Sequence, residues 1–468
     1  MDKFTVDIIG AGLAGSEAAL QLGKRGIKVR LFEMRPFAQT AVHKTALCAE
    51  LVCSNSLKST KPESAAGMLK SELKDMGSFL LDMAYESSVP AGGALAVDRE
   101  AFSQSVSAAI QASSEIELIA GEVRGIAEDG SLIVADDRHL EGHTPFGPAN
   151  AIVVASGPLT SEHLSGYLQQ LTGSEHMAFY DAAAPVVMAD SLNRERVFSQ
   201  SRYEDGGGDY LNAPFNKEEY ERFIEELIGA ERVIKKEFET ADLFQACQPI
   251  EEIARRGVDA PRFGPLKPVG LTDPATGRRP WAVVQLRAED AHGQSFNLVG
   301  FQTNLTFPEQ RRVFRMIPGL ENAEFARYGV MHRNTFLNAP ALLDGHLRLR
   351  VGKGSNLPPI YVAGQLGGTE GYCEAIASGL YAALNTYSRL VRGCGAPELP
   401  SVSALGALFA YATDPETQDY QPMHVNFGIL QPIEPKIKNK QQRYAAYAKR
   451  GADAMGDYVA ALKQDGLL

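Results

Sequence analysis

Two cysteines stand in local sequences suited to thiol chemistry. Cys53 lies in Glu50-Leu51-Val52-Cys53-Ser54-Asn55-Ser56, where short polar side chains can hydrogen-bond a thiolate or the backbone beside it. Cys247 lies in Phe244-Gln245-Ala246-Cys247-Gln248-Pro249-Ile250, with Glu251 and Glu252 following. A thiolate is a soft nucleophile that adds to a carbon centre and departs later. Cys48 and Cys53 also make C-x4-C, a spacing that fits a redox pair. That alternative, a disulfide oxidoreductase, requires a second dinucleotide domain and a C-terminal histidine partner, and neither pattern is found. Cys48 therefore reads as a small buried hydrophobe, and Cys373 and Cys394 as structural.

The thiols share the chain with a nucleotide fingerprint. Phe4 to Ile9 is a short apolar strand, Gly10-Ala11-Gly12-Leu13-Ala14-Gly15 is G-x-G-x-x-G, and good helix formers follow from Ser16. Gly10 permits the tight turn, Gly12 lets backbone approach a pyrophosphate, and Gly15 allows close helix–strand packing. The helix N-terminus then offers its partial positive charge to phosphate. A second strand, Lys28 to Phe32, ends at Glu33, placed to meet a ribose hydroxyl.

Two further segments decide between cofactors. Ala149 to Pro158 is an apolar strand ending in a small turn at Ser156 and Gly157, and resembles the second nucleotide-proximal strand of flavoproteins. Pro359 to Gln365 is another buried strand, running through Gly364 and Gln365 into Gly367-Gly368-Thr369-Glu370-Gly371 and a helix over Tyr372 to Leu384. That order of segments favours tightly bound FAD over NAD. No second fingerprint follows a strand, so NAD(P)H has no dedicated domain and docks transiently.

The elements that position these residues read as α/β: a Rossmann-like FAD-binding domain of glutathione-reductase type with an inserted α+β domain. The expected division is 1–190, 191–325 and 326–468. The insertion carries a loop over Ser201 to Tyr210, a helix from Lys217 to about Phe238, and strand-like runs over Trp281 to Arg287 and Asn297 to Thr303. At 468 residues, 44% apolar and 22% charged, the chain has the composition of a globular protein. No apolar run is long enough to span a membrane, and the N-terminus lacks the pattern of a secretion signal. Five cysteines in this length do not make a secreted disulfide framework, so a cytoplasmic location is expected. The net charge of −11 argues against nucleic acid only globally. Lys436, Lys438, Lys440, Arg443, Lys449 and Arg450 cluster near the C-terminus against a single Glu434, and Arg311, Arg312 and Arg315 form a second group. Solvated helix faces and a phosphate-contacting surface both account for them.

Longer strings carry a resemblance. They include Gly10 to Ala19, Phe32-Glu-Met-Arg-Pro36, Glu50 to Leu57, Pro90 to Arg99, Ala155 to Thr160 and Phe179 to Pro185. Phe263 to Gly270, Val299 to Thr303, Arg327 to Asn334 and Asn426-Phe-Gly428 complete the set. Together they resemble the folate- and FAD-dependent tRNA (uracil-5-)-methyltransferase family, once called Gid, from residue 4 to about 450. The resemblance implies methylation of C5 of the T-loop uridine, position 54, of tRNA, giving ribothymidine. 5,10-Methylenetetrahydrofolate donates the carbon, FAD carries reducing equivalents and NAD(P)H supplies them; the T-arm of tRNA is the implied partner. The same chemistry on ribosomal RNA is the alternative substrate reading. Cys53 and Cys247 match the family's functional thiols, with Cys247 favoured as the nucleophile at uracil C6 and Cys53 as its helper near the flavin. The expected cofactor contacts are Gly10, Ala11, Gly12, Leu13, Ala14, Gly15, Glu33, Arg99, Val123, Ser156, Gly157, Gly364, Gln365 and Gly371, with no metal at the site. Two departures stand out: the family carries Phe where this chain has Cys48, and the loop Leu366 to Cys373 matches more loosely.

Overall fold

A computed structural model describes residues 4–40, 42–173, 177–203, 208–234, 248–351, 356–417 and 420–468. Its organising element is a five-stranded parallel sheet in the order Ile360–Val362, Ala151–Val154, Thr5–Ile9, Lys28–Glu33, Ile116–Ala120. The fingerprint strand is central, and Ile9 pairs with both Phe32 and Val154. Strands covered on both faces read as continuous apolar runs, and Ala151–Val154 is buried at every position. The register brings the carboxyl ends of four strands together at Gly10, Glu33, Ala155 and Ala363. Open α/β sheets bind ligands at that edge.

Two helices cover one face of the sheet. Leu13–Lys24 follows the fingerprint, and Tyr372–Arg392 crosses it so closely that a Cβ on Gly379 would lie 2.1 Å from the Ala14 carbonyl oxygen. This contact sets the N-terminal turns of both helices beside the same sheet edge. The last helix, Lys440–Gln464, packs Tyr447, Met455, Tyr458 and Leu462 into the same core. The basic C-terminal segment is thus largely a docked helix. Arg443 bonds the Ile437 carbonyl at 3.1 Å, Arg450 the Pro432 carbonyl at 3.1 Å, and Lys449 pairs with Asp453 at 2.7 Å.

A second sheet has six strands, with antiparallel pairings, in the order Phe198–Ser199, Tyr210–Phe215, Ala282–Ala288, Ser295–Leu298, Val186–Met188, Phe325–Arg327. Its strands thus run from 186 to 327. The helix Lys217–Gly229, started by a capping box between Asn216 and Glu219, lays Tyr220, Phe223, Ile224 and Leu227 against it. That helix ends at Gly229, short of the Phe238 expected from the charge pattern; residues 235–247 lie outside the described set. The strand-like run 297–303 is strand only to Leu298, because the chain turns there: Gly300 has φ +80° and the Phe301 N–H donates back to the Leu298 carbonyl. The antiparallel pair Met177–Ala182 and Met331–Phe336 forms the two crossings between the sheets. Among the described residues no helix is long and apolar enough to cross a membrane.

Candidate functional site

Backbone builds one end of the site. Gly10 has φ +100°, and a Cβ there would sit 2.6 Å from the Ala155 carbonyl oxygen. A Cβ on Gly15 would lie 1.8 Å from the Gly10 carbonyl oxygen, so turn, helix and neighbouring strand close only around glycine. Gly12 differs. It precedes the helix as an N-cap with no side-chain cap, and a Cβ there would meet nothing within 4 Å. The protein leaves that space open, and the uncapped amides of the first turn can donate to an anion there.

Glu33 ties this turn to its own strand. Its carboxylate accepts from the Ala11 N–H at 3.0 Å and from Arg35 Nε at 2.8 Å. Burial pushes the carboxyl up, but these donors and the Arg35 charge outweigh it and hold it below the usual range. An ionised acceptor at the end of the second strand suits a ribose hydroxyl. Gly10, Gly12, Glu33, Val123 and Ser156 line a cavity of about 560 Å³. Ala11, with its N–H committed to Glu33, and Gly15 stand behind that wall.

Gly12 and Ser156 also line a second cavity of about 1410 Å³, partly open to solvent. Leu13, Ala14, Gly157, Gly364, Gln365 and Gly371 form its wall on the sheet side. The two joined spaces suit an elongated dinucleotide, with the phosphates at Gly12. Gln365 Nε2 is buried without a hydrogen-bond partner, a donor that fits a ligand rather than the protein alone.

Cys53 also lines the second cavity, half-buried. Its loop is held by residues far apart along the chain. The Cys53 and Ser54 N–H groups donate to Tyr372 Oη at 3.0 and 3.1 Å. Arg99 donates to the Leu51 carbonyl at 2.6 Å and is bound to Glu289. Arg327, from the second sheet, donates to the Val52 and Cys53 carbonyls at 3.3 and 3.4 Å. Asn55 donates to the Ala288 carbonyl at 2.9 Å and accepts from Arg287 Nε at 2.8 Å. Burial, and then the neighbouring Arg99 charge, lower Arg327 to about 10, so it stays a cation at neutral pH. Arg99 lies off the cavity wall and acts as a brace for the Cys53 loop. Upstream, Glu50 accepts from the Lys44 N–H at 2.8 Å and from Arg35 at 3.1 Å, fixing the approach to Cys53.

The cavity also contains groups that sequence reasoning did not single out. Tyr372 begins the crossing helix; burial and the adjacent Cys53 hold its phenol well above its ordinary value, and thus protonated. His424 is lowered by burial and then by Lys58, with Glu374 opposing, so it is neutral at neutral pH. Lys58 pairs with Glu374 at 3.2 Å beside it. The signal was present: Tyr372 adjoins the Gly367–Gly371 loop, Arg327 and Asn334 bound one of the long strings, and His424 stands two residues before Asn426.

The remaining cysteines separate clearly. Cys48 is 1% exposed and off both cavities, and burial pushes its thiol to about 11. Cys373 is buried and raised to about 11 for the same reason, and Cys394 is exposed. Cys48 and Cys53 are both free thiols. Cys247 lies outside the described residues.

Comparisons with known proteins agree with this layout. The family model described as glucose inhibited division protein A matches residues 5–392. A methylenetetrahydrofolate--tRNA-(uracil-5-)-methyltransferase from Heliobacterium modesticaldum is 49% identical over 97% of this chain and 98% of its own. The protein of that name from Geobacter sulfurreducens is 52% identical over 94% and 95%. The structure of Aquifex aeolicus GidA superposes with a TM-score of 0.67 at 15% identity, covering 99% of this chain and 76% of that one, a likeness of fold.

Proposed function

This chain belongs to the methylenetetrahydrofolate–tRNA-(uracil-5-)-methyltransferase family, and from that premise we propose that it methylates C5 of the T-loop uridine, position 54, of tRNA. 5,10-Methylenetetrahydrofolate is the carbon donor, NAD(P)H the reductant and ribothymidine the product. The observation that carries this reading is Cys53 on the wall of a cavity that continues into the fingerprint pocket.

FAD fits the joined cavities: Gly10, Gly12, Glu33 and Val123 would hold its adenosine and pyrophosphate, and Gly157, Gly364, Gln365 and Gly371 its ring system. When bound and reduced, it supplies the hydride that turns an exocyclic methylene into a methyl group. The chain's own residues handle the uracil. Thiolate addition at C6 makes C5 a nucleophile, which bonds to the one-carbon unit. Loss of the C5 proton to a base breaks the bond between the one-carbon unit and its carrier nitrogen and leaves an exocyclic methylene; as that methylene becomes a methyl group, the thiolate departs from C6 and the ring is restored. We assign the addition to Cys247 on the inserted side and assistance near the ring system to Cys53. His424, neutral, can accept a proton in the cavity, and Tyr372, protonated, can donate a hydrogen bond there. The basic C-terminal surface around Lys436 and Lys438 serves the T-arm, and the cytoplasm is the setting.

The test is transfer of labelled carbon from methylenetetrahydrofolate, with NADH and NADPH compared, to three RNAs: an unmodified tRNA transcript, the same transcript with cytidine at position 54, and ribosomal RNA. Label in the first alone is expected. Label in the ribosomal RNA alone moves the reading to that substrate, and label in none overturns it.

A further inference from the structure

One cluster of side chains away from these cavities has the composition of a metal site. The hairpin Glu122–Ile126 with Leu132–Ala135 is followed by a loop that returns to it, where Val134 and His143 exchange backbone hydrogen bonds of 2.7 and 2.8 Å. On this loop Asp136, His139 and His143 bring one carboxylate oxygen and one nitrogen from each ring within 4.8 Å of one another. The two imidazoles are tilted by 31° to each other, with centroids 3.8 Å apart.

Hydrogen bonds fix the proton positions. His143 Nδ1 lies 3.0 Å from the Val134 carbonyl oxygen; a carbonyl only accepts, so Nδ1 carries a hydrogen. His143 Nε2 is then the ring nitrogen left to face a ligand, and it stands 3.9 Å from Asp136 Oδ2. Asp136 Oδ1 accepts from the backbone N–H groups of Arg138 and His139, both at 2.8 Å, and lies 3.0 Å from His139 Nδ1. Nε2 and Oδ2 face each other beyond hydrogen-bond distance, a gap that one cation can bridge. One divalent ion can take a ligand atom from all three groups.

We infer that Asp136, His139 and His143 bind a divalent transition metal such as Zn²⁺, with solvent completing its coordination, and that the ion clips the 136–143 loop to the hairpin. Zn²⁺ bonds of about 2.0–2.2 Å place tetrahedral ligand atoms about 3.3 Å apart, so side-chain rotation closes the 3.9 Å gap. The Nδ1–H bond to a backbone carbonyl is the outer contact that metal-bound histidines make. Two imidazoles and one carboxylate favour Zn²⁺, Ni²⁺ or Cu²⁺ over Mg²⁺ or Ca²⁺.

The test is calorimetric titration of chelator-stripped, flavin-loaded protein with Zn²⁺, beside His143→Ala and Asp136→Asn. One equivalent is expected to bind and raise the thermal midpoint. Each variant should bind at least about tenfold more weakly and lose the zinc-dependent rise, while methyl transfer to tRNA is unchanged. Absence of saturable binding to the parent protein overturns the inference and leaves a protonated histidine paired with Asp136. Equal affinity in parent and Asp136→Asn overturns it too, and that isosteric variant keeps the test decisive if His143→Ala does not fold.

Discussion

The two walls of the central cavity are built by opposite means. At the fingerprint, six consecutive residues and the strands beside them make the site from backbone, with glycines where a Cβ cannot fit. At the Cys53 loop, side chains from far along the chain do the holding: Arg99, Arg287, Arg327 and Tyr372 meet residues 51–55. A backbone site depends on a few positions absolutely. A braced loop distributes its geometry over several hydrogen bonds, each contributing on the order of 1 kcal/mol.

That contrast can be broken at Gly12. Its Cβ position is open, so Gly12→Val should fold normally yet lose flavin, and with it all turnover. Flavin absorbance and the melting curve report the two outcomes separately; a yellow variant at full stoichiometry would contradict the assignment of that space. Arg327→Met attacks the other wall. It removes two donors from the Cys53 loop while keeping volume, and a displaced thiol should lower turnover by roughly 10²-fold with flavin content unchanged. Parent-like turnover would show that the brace is dispensable.

A smaller effect compares the two hydrophobic cores through pH. Glu72 caps the helix Ala404–Thr413 through the Ala404 and Leu405 N–H groups, and Glu251 accepts from the Asn304 N–H and the Thr303 hydroxyl. Burial raises each carboxyl to about 7, against an ordinary 4.5. A folded-state value above the unfolded one means that the contribution to stability is fully present below about pH 4.5 and lost as pH rises through about 7. The thermal midpoint should therefore fall by a few degrees, roughly, between pH 6 and 8. Glu72→Gln and Glu251→Gln should each flatten part of that slope; an unchanged slope in both would mean that neither proton is coupled to folding. The smallest effect is expected at Cys48. Cys48→Ala deletes one buried sulfur, costing on the order of 1 kcal/mol, and should leave turnover intact. Lost turnover would revive the redox pair with Cys53.

This comparison also explains what the sequence makes legible. Gly10, Gly12, Gly15 and Glu33 lie within a span of 24 residues, and their spacing is the geometry. The Cys53 string announces a thiol in a polar setting but not its partners, because Asn55 meets Arg287 across 232 positions and Cys53 meets Arg327 across 274. Arg99, expected at the cofactor, turns out to brace the loop, since its helix points it at Leu51 and Glu289. His424 stands beside a matched string, but its chemistry comes from burial near Lys58 and Glu374, which lie far along the chain. The C-terminal basic run reads as a solvated or phosphate-contacting surface because charge dominates it, while the apolar positions that dock the helix, Met455 and Leu462, lie beyond it.

The most direct measurement is single-turnover transfer of labelled carbon from methylenetetrahydrofolate to an unmodified tRNA transcript, by parent protein and by Cys53→Ala at equal flavin occupancy. The cavity account expects label in C5 of the transcript with the parent and none with the variant, both melting at the same temperature. Full transfer by flavin-loaded Cys53→Ala would contradict it and remove this thiol from the reaction.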